Sequence, residues 1–147
     1  MLVSALLMNL ALVAAGQPPP TAEELLARLD LASFPNSTRP ARLAAPATPA
    51  AAGFHEARSE AGGWAYRTGE RRELRDGGYW EIGLRILEVN GNSTAVCFRD
   101  FAHTGGSYFV QTALTLTPAG EGYSARQGPP RADCPEWRRR ADAAPQG

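Results

Sequence analysis

Any acid–base chemistry in this chain would draw on its only two histidines, His55 and His103. Asp100 lies three residues before His103, a pairing in which a carboxylate orients an imidazole as a general base. On a strand, residues three apart face opposite sides, so this contact requires the chain to bend before His103. Ser59, Ser93, Ser107 and Ser124 offer hydroxyls, but none lies in the Gly-x-Ser-x-Gly setting of a nucleophile elbow. The glycine pairs Gly62-Gly63, Gly77-Gly78 and Gly105-Gly106 do not open helices, which argues for turns and against a phosphate cradle.

Cys97 and Cys134 are the only cysteines and lack CxxC spacing. With two histidines they do not make a structural zinc site, and neither a metal nor another cofactor is expected. In an exported chain the pair reads as one disulfide. The remaining specific candidate is a cluster for ligand binding made of Trp80, Phe98, Asp100 and Tyr108.

These residues must be positioned by strands. From about Gly62 the sequence turns to aromatic and β-branched residues separated by Asp76-Gly77-Gly78, Asn90-Gly91-Asn92, Thr104-Gly105-Gly106 and Ala119-Gly120-Glu121-Gly122. This spacing predicts an antiparallel meander with strands over 79–89, 93–103 and 107–117 and shorter ones near 64–68 and 122–127. A three-residue loop at Asn90-Gly91-Asn92 sets Ile86, Leu84, Ile82 and Trp80 opposite Val96, Phe98, Asp100 and Ala102. A similar loop at Thr104-Gly105-Gly106 sets Leu114, Thr112, Val110 and Tyr108 opposite the same four residues of the middle strand. Asp100 is then the one acid on an otherwise apolar face, with the Tyr108 hydroxyl, the Thr112 hydroxyl or an arginine as its expected partner. The opposite face carries Glu81, Arg85, Arg99 and Gln111 beside Cys97, Phe101 and Phe109. A bond from Cys97 to Cys134 would lead the C-terminal segment through Trp137 across that face.

Before the meander, Thr21-Ala-Glu-Glu24 has the spacing of a capping box, and Leu25, Leu26 and Leu29 form the apolar stripe of a helix that Pro35 must end. The expected fold class is therefore α+β: one N-terminal helix packed on a curved antiparallel meander of four to six strands, with a small all-β half-barrel as the alternative. This outline is similar to that of cystatin-like and nuclear-transport-factor-2-like domains, a likeness of architecture that carries no function.

The expected organisation is a signal peptide over 1–16, a spacer and helix over 17–34, a Pro/Ala-rich linker over 35–61, the β-domain over 62–137 and a flexible tail over 138–147. The leader is apolar from Met1 to Gly16 apart from Ser4 and Asn9, ends in small residues, and is too short to span a bilayer. No membrane-spanning segment follows it, so the expected location is secreted or periplasmic. Asn36-Ser37-Thr38 and Asn92-Ser93-Thr94 match the glycosylation acceptor pattern, which matters only in a eukaryotic secretory route.

The chain has 147 residues, with 15 acidic and 15 basic side chains, and every basic residue is an arginine. Zero formal charge supplies no global field to attract nucleic acid, and the Arg138-Arg139-Arg140 triplet reads as a solvated tail. Abundant Ala, Gly, Pro and Arg without Lys points to a GC-rich genome. Three functions follow, in order of preference: a non-catalytic binding or interaction module, whose partner would be a protein or a small apolar ligand; a soluble carrier of such a ligand; and a small hydrolase or isomerase using Asp100 and His103.

Overall fold

The structure, a computed structural model, describes residues 16–38, 44–70, 79–103 and 108–139. The apolar leader up to residue 15, the turns at 76–78 and 104–106, most of the charged run 67–76 and the tail from Arg140 lie outside the described residues.

The capping box at Thr21 forms as its spacing predicts: the Glu24 N–H donates to the Thr21 hydroxyl, and the Glu24 carboxylate accepts from the Thr21 N–H at 2.8 Å. The helix is shorter than Pro35 would allow. α1 covers only Ala22–Ala27, because the chain beyond it finds better partners in the sheet. Leu29 bridges to Tyr123, with the Tyr123 N–H on the Arg28 carbonyl and the Asp30 N–H on the Tyr123 carbonyl. This approach demands glycine at 122, where an added Cβ would meet the Arg28 carbonyl oxygen at 2.5 Å.

Among the described residues, seven strands form one antiparallel sheet: β1 (Glu56–Glu60), β2 (Trp64–Glu70), β3 (Tyr79–Asn90), β4 (Ser93–Ala102), β5 (Phe109–Ala119), β6 (Gly122–Gln127) and β7 (Trp137–Arg139). The first six follow one another in sequence order across an open sheet, and β7 adds to β5 beside β6. The fold is thus mostly antiparallel β with one short helix. Two strands exceed the expected meander. β1 falls inside the segment 35–61 that composition assigns to a linker, and β7 uses the start of the expected tail. Both are short and polar, so neither shows the alternation from which a half-buried strand is recognised; pairing with an existing edge makes them strands.

The register between β3 and β4 matches expectation at Ile86/Val96, Leu84/Phe98, Ile82/Asp100 and Trp80/Ala102. It is reached differently. Asn90 pairs with Ser93, leaving a two-residue turn in which Gly91 has φ +57°, and a bulge at Leu87 restores the offset that a three-residue loop would have produced. β4 and β5 pair as expected from Val96/Leu114 to Asp100/Val110.

The face bearing Leu84, Val96, Phe98, Leu114 and Leu116 is sealed by Leu25, Leu26, Leu29, Leu31, Phe34 and Phe54. Only Leu25 and Leu26 of these belong to the helix. The rest come from irregular chain stitched down by side chains: Asp30 accepts from the Ala32 and Ala47 N–H groups at 2.9 and 2.8 Å, and Asn36 donates to the Leu31 and Phe34 carbonyls. Composition assigns residues 35–61 to a Pro/Ala-rich linker. Its described parts instead bury Ala47 and Phe54.

The second face has a smaller apolar cluster of Trp64, Tyr66, Cys97, Ala113 and Cys134, with Phe101 packed against it. Tyr66 lies directly over Gly83, where a Cβ would sit 2.4 Å from the ring. Gly83→Ala must push this ring off the sheet, and a loss of about 1–3 kcal/mol is expected. Urea unfolding measures it; a variant as stable as the parent would show that Tyr66 repacks freely.

Candidate functional site

The second face is where polar chemistry collects. Antiparallel register brings Glu56, Thr68, Glu81 and Phe101 into one row across β1 to β4, with Arg58 and His103 reaching in from neighbouring positions. Glu81 sits in the middle of this row and is 1% exposed. Its carboxylate accepts two bonds from Arg58, Nε at 2.7 Å and Nη2 at 2.5 Å, and one from the Thr68 hydroxyl at 3.0 Å. His103 Nε2 completes the set at 3.3 Å from Oε1. Because a carboxylate can only accept, Nε2 carries the proton, and in the neutral ring Nδ1 is left as an acceptor.

Burial alone would raise the Glu81 pKa, but the hydrogen bonds from Arg58, Thr68 and His103 outweigh it and hold the carboxyl below its ordinary value. Arg58 is driven further up by Glu81, and its guanidinium also pairs with Glu60 and lies over the Tyr66 ring, 4.1 Å from the centroid.

Above this pair opens a pocket of about 780 Å³, lined by Gly53, His55, Glu56, Arg58, Thr68, Gly69, Tyr79, Glu81 and His103. Both histidines of the chain therefore meet in one place. His103 is stacked on Tyr79, with ring centroids 4.1 Å apart, and meets the tilted Phe101 ring at 4.7 Å. Gly69 is fixed by the wall of this pocket: a Cβ there would lie 2.1 Å from the Gly53 carbonyl oxygen.

A lowered folded-state pKa fixes how Glu81 responds to pH. Its contribution to stability is complete above the ordinary value of 4.5 and disappears as pH falls below 4.5 through the depressed folded value. The parent should therefore lose stability below that point more steeply than Glu81→Gln. At neutral pH, Glu81→Gln should cost about 1–3 kcal/mol, moderated because the Arg58 side chain is 40% exposed and keeps part of its hydration. Urea midpoints of both proteins from pH 3 to 7 check this; parallel curves would remove Glu81 as the titrating group.

The expected site residues lie elsewhere. Trp80, Phe98 and Asp100 are buried on the opposite face, where Phe34 packs edge-on against Phe98 at 5.0 Å and Trp80 contacts the half-buried Tyr108 at 5.1 Å. Trp80 and Phe98 belong to the main core cluster, with Tyr108 packed against it. Asp100, 1% exposed, accepts from Trp80 Nε1 at 2.5 Å, the Ser37 N–H at 2.7 Å and the Ser37 hydroxyl at 2.6 Å. The expected pairing of Asp100 with His103 does not form. Strand alternation sends His103 to the other face, where Glu81 takes the place that Asp100 was expected to fill.

Cys97 and Cys134 are bonded, with Cα atoms 5.4 Å apart. The C-terminal segment crosses the second face as expected: Gln111 donates to the Pro135 carbonyl at 2.8 Å, and Trp137 meets Phe109 edge-on at 5.0 Å. Of the two acceptor patterns, Asn36 is spent on backbone carbonyls while Asn92 is exposed in the β3–β4 turn.

Glu81 was visible in the sequence only as one polar residue on a mixed face. Its significance depends on β1, which supplies Arg58 and whose pairing has no apolar signature. The molecule is thus an open antiparallel sheet with a disulfide-clasped C-terminal strand and a polar pocket at the β1–β4 end of one face. No protein-family model matches the chain, and no match is found among curated proteins or solved structures. Among the described residues there is no group of three or more His, Cys, Asp or Glu placed to hold a metal, and no helix long and apolar enough to cross a membrane.

Proposed function

We propose that this chain is an exported domain, secreted or periplasmic, that works by binding and not by catalysis, and that its ligand enters the pocket formed by His55, Tyr79, Glu81 and His103. One observation carries the reading: both imidazoles and an exposed aromatic ring line a single open pocket whose buried carboxylate is already consumed by internal partners. A catalytic His103 would need a nucleophile or a substrate proton within reach. The only aliphatic hydroxyl among the described lining residues, on Thr68, is turned onto Glu81. The buried disulfide and the apolar leader support export.

Native mass spectrometry of the protein purified from its source tests the assignment. A bound molecule should be retained by the parent and lost from a Tyr79→Ala/His103→Ala variant. Retention by that variant, together with loss from Phe98→Ala, would move the site to the core face and favour the carrier of an apolar ligand. The intact mass of the same material should correspond to cleavage between about Ala15 and Gln17; a chain that still begins at Met1 would remove the case for export.

A further inference from the structure

Resting on that reading of the pocket, we infer that its ligand is a neutral, polyhydroxylated molecule, a sugar unit stacked on Tyr79 and hydrogen-bonded by His55 and His103. The argument starts from charge. Arg58 would ordinarily grip a phosphate or carboxylate, but Nε and Nη2 are on Glu81, Nη1 is on Glu60, and the guanidinium face covers Tyr66. An anion could take Arg58 only by leaving a buried carboxylate without its cation, which opposes binding. Glu81 cannot serve a cationic ligand for the converse reason, since two donors from Arg58, one from Thr68 and one from His103 already surround it.

Among the described lining residues, the two imidazoles, the Tyr79 ring and the exposed Glu56 carboxylate at the rim remain. His55 is exposed and has no hydrogen-bonded partner among the described residues. His103 turns Nε2 toward Glu81 and so directs Nδ1 to a ligand hydroxyl, as an acceptor in the neutral ring. Tyr79 is 43% exposed while stacked on His103, so the ring is braced against a neighbour and still accessible. Glu56 at the exposed edge adds an acceptor for hydroxyl donors. A sugar ring combines the two features this arrangement lacks in itself: hydroxyls that both donate and accept, and an apolar C–H face that packs on an aromatic ring. The volume of about 780 Å³ is within the range of small-molecule sites.

The test uses the full oxidised chain, isotopically labelled, titrated with glucose, galactose, mannose, N-acetylglucosamine and their β-linked dimers, and separately with inorganic phosphate, putrescine and adenosine. At least one saccharide should give saturable amide shifts at His55, Tyr79 and His103. Tyr79→Ala should weaken it about tenfold while Tyr79→Phe retains it, as expected for stacking on a ring. His103→Gln should also weaken it, with both variants showing the parent's Trp80 and Asp100 signals as proof of fold. Saturation of the same residues by phosphate, putrescine or adenosine and by no saccharide would overturn the ligand class and leave the site standing. Saccharide shifts confined to Trp80, Phe98 and Tyr108 would overturn both. A flat response to every probe at millimolar concentration would overturn the sugar assignment.

Discussion

Asp100→Ala will lower the stability of the fold by roughly 3–5 kcal/mol, a large part of the 5–15 kcal/mol that holds a typical domain together. Among the described residues the carboxylate accepts from the Trp80 indole and from both the N–H and hydroxyl of Ser37. Removing it takes from the Trp80 indole N–H and the Ser37 N–H the acceptor that each holds, and a donor left unsatisfied by that loss adds its own desolvation penalty. The damage extends beyond the side chain, because Ser37 follows Phe34 and Asn36, and this segment covers Phe98 and closes the main core. Ser37→Ala, which keeps the backbone bond, should cost only about 1 kcal/mol. Urea unfolding of both variants, followed by tryptophan fluorescence, separates a structural carboxylate from a ligand-binding one. An Asp100→Ala protein within 0.5 kcal/mol of the parent, an ordinary surface effect, would mean that Ser37 and Trp80 find other partners at no cost.

Loss of the Cys97–Cys134 bond is the second large effect. The cysteines are 37 residues apart, for which chain entropy gives about 4 kcal/mol in the disulfide's favour. Its structural consequence should be local first. β7 is three residues long and lies on β5 at Phe109 to Gln111, supported by the Gln111–Pro135 hydrogen bond and the Trp137–Phe109 contact. So short a strand is marginal without a covalent clasp, so a Cys97→Ala/Cys134→Ala variant should release the segment from Pro135 onward. That exposes Phe109 and the edge of β5, an invitation to self-association. Hydrogen exchange should show accelerated amides at 109–111 with β3 and β4 still protected, and sedimentation should show added association. Unchanged protection at Phe109 to Gln111 would show that β7 holds without the bond.

Local physics was legible in the chain itself. The capping box at Thr21 depends on contacts between residues three apart, so its residues specify it directly. The pairing of β3, β4 and β5 follows from alternation along each strand and from turn length, because a slip by one residue would put Leu84, Val96 and Leu114 into water. Even the β3–β4 hairpin, built with a bulge at Leu87 and a shorter turn, kept that register, since burial of the apolar face outweighs the geometry of the turn. The disulfide was readable because Cys97 and Cys134 have no other partners in the chain.

What only the tertiary structure decided is which polar groups meet. Asp100 was placed on the apolar face by register, but Ser37 became its partner through the path of an irregular segment that composition describes only as Pro-rich. Glu81, His103 and Arg58 come from β3, the end of β4 and β1, and β1 is a strand because β2 offers it an edge. Apolar residues announce their face by periodicity, since water penalises each of them alike. A buried carboxylate answers to particular donors at about 3 Å, and their arrival together depends on the whole course of the chain.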